Sequence, residues 1–194
     1  MAAFLGILLT VGVGFFLLKD KVLFQVVQKT PEASNLALPS ASLVPSQTPS
    51  ASMRTVSGGG ILSFPKFEIS VPSDWTDKRE NSNPDVEKLI LSNGGYSISI
   101  LEGGFGGAIC LFPGDADVEG PSARFTTFVD LTTKSGNMFR RVSSTGSGFG
   151  VCEKTQYGWG EPTTYGAISI SAPTSPDPAI IKVVDGILSS ITKK

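Results

Sequence analysis

Histidine does not occur once in the 194 residues. Its absence removes the commonest general base and the commonest nitrogen ligand for metals. Ser-His-Asp and Cys-His catalysis are therefore excluded within this chain. Lysine, carboxylate and tyrosine chemistry stay open. Charge is scarce too: acidic and basic residues together make up 17%, with a net charge of −1. No basic stripe or Lys/Arg cluster occurs, so nothing points to a nucleic-acid partner. Glycine and proline, by contrast, are plentiful at 22 and 13. Their placement between short apolar runs implies many turns and favours a β-rich fold.

The run Ala2 to Leu18, "AAFLGILLTVGVGFFLL", carries no charge. At 1.5 Å per helical residue it reaches about 25 Å, a little short of a hydrocarbon core. Lys19 and Lys21 can snorkel, and Val22 to Val27 adds a further apolar turn. Residues 1–29 are read as a single transmembrane helix and its juxtamembrane segment. A cleaved signal peptide and a buried core helix are the competing readings. The first lacks an Ala-x-Ala site and a basic leading region. The lysines that follow the run favour a cytoplasmic C-terminal part by the positive-inside rule. Against that modest bias stand the spacer and the cysteine pair, which favour display outside the cytoplasm.

Residues 30–60 are dominated by Pro, Ser, Thr, Ala and Gly, with Glu32 and Arg54 the only charges. Such a stretch buries too little apolar surface to offset its ordering entropy, and it reads as a disordered linker. Residues 61–194 have the pattern of one domain with its own core. Phe67, Ile69 and Val71 alternate with polar residues as a half-buried strand that Pro72 ends. Trp75 then folds back as a plug over the strand end. Asn93-Gly94-Gly95 between two apolar runs predicts a hairpin. Arg124 to Thr145 repeats that form around Lys134 to Asn137, and Thr163 to Pro173 is another alternating strand.

The last element has helical spacing. Asp177 suits an N-cap and Pro178 the first helical position. Ile180, Ile181, Val184, Ile187, Leu188 and Ile191 then form one apolar stripe. Lys193 and Lys194 fall where cations favour the dipole. The expected fold class is α+β: an antiparallel sheet covered by helices, including this C-terminal amphipathic helix.

Two motifs carry a resemblance. Val71-Pro72-Ser73-Asp74-Trp75 at the front and Ile187-Leu188-Ser189-Ser190-Ile191 at the end resemble those of the Mog1/PsbP-like family, over roughly residues 63–192. The resemblance implies an antiparallel sheet covered by helices and a mostly non-enzymatic role. It implies no catalytic residue. The glycine-rich stretches Gly103 to Gly107 and Gly146 to Gly160 depart from the family pattern.

Candidate sites are few. Cys110 and Cys152 are the only cysteines, and an even count in an exported domain reads as a disulfide. With no histidine to activate it, neither is read as a catalytic thiol. Asp115, Asp117 and Glu119 with Gly120 imitate the front of a calcium loop, but the twelfth position is Thr126 where a bidentate glutamate belongs. An acidic surface loop is the plainer reading. The glycine stretches lack phosphate-loop spacing. Tyr157, Trp159 and Tyr165 on a Gly/Pro loop are the first choice for a ligand surface, against the plainer reading that they fill the end of the sheet. No catalytic residue, cofactor or metal is assigned.

The sequence thus implies a membrane-anchored, extracytoplasmic, non-enzymatic binding or accessory module, with a protein or carbohydrate partner. The rival is an envelope hydrolase acting on wall polymer through carboxylates. That chemistry needs two facing carboxyl groups about 5 to 10 Å apart, with Asp74, Asp115, Asp117, Glu153 and Glu161 as candidates.

Overall fold

The computed structural model describes residues 52–143 and 148–194. Ala2 to Leu18 and most of the spacer lie outside them, so the membrane-anchor reading does too. Among the described residues no helix is long and apolar enough to cross a membrane.

The alternating run at Phe67 forms β2 (Phe67–Pro72), with Phe67, Ile69 and Val71 buried. Along its whole length β2 pairs antiparallel with β1 (Met53–Gly58), from Met53 opposite Pro72 to Gly58 opposite Phe67. That pairing corrects the linker boundary, because β1 falls inside the segment 30–60 expected to be disordered. Its composition is mixed, and only Val56 reaches the main core. Its backbone hydrogen bonds come from β2, which composition does not register.

A second, larger sheet contains β3 (Thr76–Asn83), β4 (Val86–Asn93), β5 (Tyr96–Glu102), β6 (Ala108–Leu111) and β7 (Ser122–Arg124). It also contains β8 (Phe128–Thr132), β9 (Met138–Ser143), β10 (Gly148–Thr155), β11 (Gly158–Glu161) and β12 (Ala167–Ser171). The main path runs β3-β4-β5-β12-β10-β11-β6-β7, and β8-β9 branches from β10. The β4-β5 turn uses Gly94 and Gly95 at φ 53° and 87°, where L side chains are strained.

Helix α1 (Pro178–Ser189) starts at Asp177, whose carboxylate accepts from Ala179 N at 2.8 Å. It buries Ile181, Val184, Ile187 and Leu188. Lys193 and Lys194 do not cap it. The chain leaves the helix at Ser190 and forms β13 (Thr192–Lys193), which adds to the free edge of β2. Lys194 pairs instead with Glu68, at 2.6 Å.

The fold-class expectation is corrected by this inventory. About half of the described residues are in strands, and the one helix has 12 residues. The fold is mostly β, and the sheets are not covered by helices in the plural. The glycine-rich middle lacks a strong apolar period apart from the strand-like settings of Cys110 and Cys152. Neighbouring strands nevertheless draw it into β6, β10 and β11.

Two cores result. In the main one, Phe67, Ile69 and Val71 of the small sheet meet Leu89, Leu91, Ile98, Ile100, Ile168 and Ile170 of the large sheet, with the stripe of α1. Trp75, 3% exposed, packs into this core after Pro72 ends the strand. A smaller core holds Cys110, Phe112, Val142 and Cys152, with Phe125, Phe128 and Trp159 against it. Successive residues of a strand point to opposite faces. Val151 therefore joins the main core, and Cys152 the smaller one.

Candidate functional site

The smaller core is built around a bridge and a caged cation. Cys110 on β6 and Cys152 on β10 form a disulfide, with Cα atoms 6.4 Å apart. On β9, the Arg140 guanidinium lies 4.4 Å from the ring centre of Phe112, 4.1 Å from Phe128 and 4.2 Å from Trp159. Its Nε donates to Asp130 Oδ1 at 2.7 Å across the β8-β9 pair. The cation meets three ring faces and one carboxylate, which fixes the plane of the Trp159 indole.

Trp159 extends from this core to the surface. It lies on β11 opposite Lys154 of β10, whose ammonium is 5.5 Å from its ring centre. Between them the chain turns through Tyr157, which is 91% exposed. Thr155 Oγ1 holds the turn, accepting from Tyr157 N at 3.2 Å and donating to Gly158 O at 3.1 Å. Tyr157, Trp159, Lys154, Asp115, Ile109 and Val118 line one concavity of about 290 Å³. Ile109 and Val118 are each about 40% exposed, so its apolar wall is open to solvent.

The structure therefore brings Tyr157 and Trp159 together and takes Tyr165 away. Tyr165 is fully buried in the main core, edge-on to Phe67 at 5.5 Å and Phe139 at 6.3 Å. Its hydroxyl donates to Asn137 Oδ1 at 2.9 Å. Its place on the candidate ligand surface is corrected: the tight turn at Thr163 and Gly166 aims the ring inward.

The acidic loop uses its carboxylates on the protein itself. Asp115 Oδ2 accepts from Phe112 N at 2.8 Å, and Asp117 pairs with Arg124 at 2.6 Å. Glu119 is exposed. Among the described residues no group of three or more metal-ligating side chains converges. Of the carboxylates weighed for hydrolysis, Asp74, Asp115 and Glu161 each line a different hollow. Asp74 accepts from Asn93 Nδ2 at 2.7 Å and lines a hollow at the β4-β5 turn. Glu161 borders a different one. Glu153 is buried, taking Asn137 Nδ2 at 2.6 Å, Thr164 Oγ1 at 3.0 Å and the Thr164 N–H.

A carboxylate pair that the sequence reading did not single out lies elsewhere. Glu87 and Glu102 face each other across β4 and β5. Glu102 is 2% exposed, and burial raises its pKa to about 7. The Ile61 N–H, which donates to its Oε2 at 3.2 Å, works against that shift, Glu87 adds to it, and Arg79 opposes it. Arg79 pairs with Glu87 at 3.2 Å and donates to Ser57 O. The two glutamates are equidistant from the Gly94-Gly95 turn, so the hairpin register alone would have found them.

No family model, curated protein or solved structure matches the chain.

Proposed function

We propose that the chain is a binding or accessory module, held at a membrane by its N-terminal apolar segment. Its β-rich domain is displayed outside the cytoplasm, and the concavity between Tyr157 and Trp159 is its recognition surface. The observation that carries this reading is the pairing of a ring 91% exposed with an indole fixed from below by Arg140. A tyrosine so exposed adds little to folding, while its turn is held in one shape by Thr155. Order without burial suits a group that meets something else. The Cys110–Cys152 bridge supports an oxidising compartment. The likeness of Val71 to Trp75 and Ile187 to Ile191 to Mog1/PsbP-like domains belongs to the same proposal and agrees with a non-enzymatic role.

A photoreactive residue placed at position 157 of the full chain, in its native cells, tests the surface. An envelope component should cross-link there and not from position 182, exposed on α1. Equal labelling from both positions overturns the assignment. A membrane-impermeant amine reagent tests the location through Lys78, whose side chain is 71% exposed. Modification only after lysis places the domain in the cytoplasm instead.

A further inference from the structure

The chemistry of the concavity narrows its ligand. Its wall is apolar at Ile109 and Val118, and its rim is polar at Lys154 and Asp115. Asp115 spends one oxygen on the Phe112 N–H, and the other takes no protein donor among the described residues. Lys154 forms no ion pair among the described residues. The indole N–H of Trp159 likewise has no protein acceptor among them, yet it is not a buried orphan. A donor, a cation and an acceptor thus surround a flat ring and an apolar wall.

An extended peptide fits this place poorly. β11 is paired with β10 through Trp159 and with β6 through Gly160 and Glu161, which leaves little open edge for an added strand. A strongly charged ligand fits no better, since Lys154 and Asp115 oppose each other in sign. The volume, about 290 Å³, is at the small end of ligand sites. It suits one ring-sized unit with hydroxyls around its edge and C–H groups on its faces.

Building on the recognition surface proposed above, we propose that the concavity between Tyr157 and Trp159 binds a pyranose unit of a neutral polysaccharide. The sugar face lies on Tyr157, and its hydroxyls reach Asp115, Lys154 and the indole N–H. A site this small and open binds one unit weakly.

The test is co-sedimentation of the full chain with insoluble cellulose, chitin and purified wall sacculi, each against Tyr157→Ala and Tyr157→Phe. Tyr157 is so exposed that neither variant disturbs the fold, which a melting curve verifies. At least one polymer should retain the native chain, Tyr157→Ala should release it at least tenfold more readily, and Tyr157→Phe should stay close to native. Retention unchanged in Tyr157→Ala overturns the site. No retention on any polymer, together with a protein cross-link from position 157, overturns the sugar and leaves the surface. No retention and no cross-link removes both.

Discussion

Arg141 and Asp185 form a two-pronged ion pair between β9 and α1. Nε donates to Oδ1 at 2.6 Å and Nη2 to Oδ2 at 3.1 Å. The arginine side chain is 9% exposed and its guanidinium also lies 4.6 Å from the Phe149 ring centre. A buried pair that loses one partner strands a charge in the interior. Arg141→Ala should therefore lower stability by about 3 to 5 kcal/mol in urea unfolding. Removing Lys194 from its exposed pair with Glu68 should change it by at most about 1 kcal/mol. Equal effects would show that the Arg141 pair is solvated in solution.

Glu102 makes stability depend on pH. Its folded pKa, about 7, lies above the ordinary 4.5. The folded state then holds a proton that the unfolded chain gives up. Stability from this group is full below about pH 4.5 and is lost as pH rises toward 7. Glu102→Gln should flatten that part of the urea-midpoint profile. A native profile between pH 5 and 7 that Glu102→Gln leaves unchanged would refute the assignment.

The disulfide spans a sequence separation of 42. The chain-entropy model gives it about 4 kcal/mol, by restricting the unfolded chain. Non-reduced peptide mapping should find Cys110 joined to Cys152, and reduction should lower the melting temperature by on the order of 10 °C. Two thiols that alkylate freely in protein from its native compartment would contradict the bridge and the extracytoplasmic location together.

Leu188 is fully buried where α1 meets the main core. Leu188→Ala should cost about 2 to 5 kcal/mol. Truncation after Thr174 should prevent folding altogether, since it removes α1 and also strand β13 from β2. A truncated domain with unchanged melting would mean that the stripe does not support the core.

Some of this was legible in sequence and some was not, for identifiable reasons. β2, the Gly94-Gly95 turn and the Asp177 cap announce themselves through local period and turn chemistry. β1 and β3 do not: one is mixed in composition and the other is exposed nearly throughout, and both take their order from a neighbour's backbone. The aromatic loop shows the same limit. Tyr157 and Tyr165 share a Gly/Pro-rich setting, yet one is exposed and the other buried, because the hairpin and the Thr163 turn aim them in opposite senses. Charge did not reveal Arg140, since its place among three rings depends on β6, β8 and β11 meeting.

Strand β13 sits beside β2, with Lys194 N donating to Lys66 O at 2.9 Å. The small sheet therefore joins two strands far apart in sequence, with Thr192 opposite Glu68. The sheet cannot be complete until Thr192 and Lys193 have been made and have reached β2. Until then β2 has an open edge and the main core lacks α1. Closing so long a loop is slow, and the waiting edge is prone to pairing with other chains. Folding of this domain should accordingly respond sharply to proline substitutions at Thr192 and Lys193, which break the pairing with β2, even though neither residue serves a ligand.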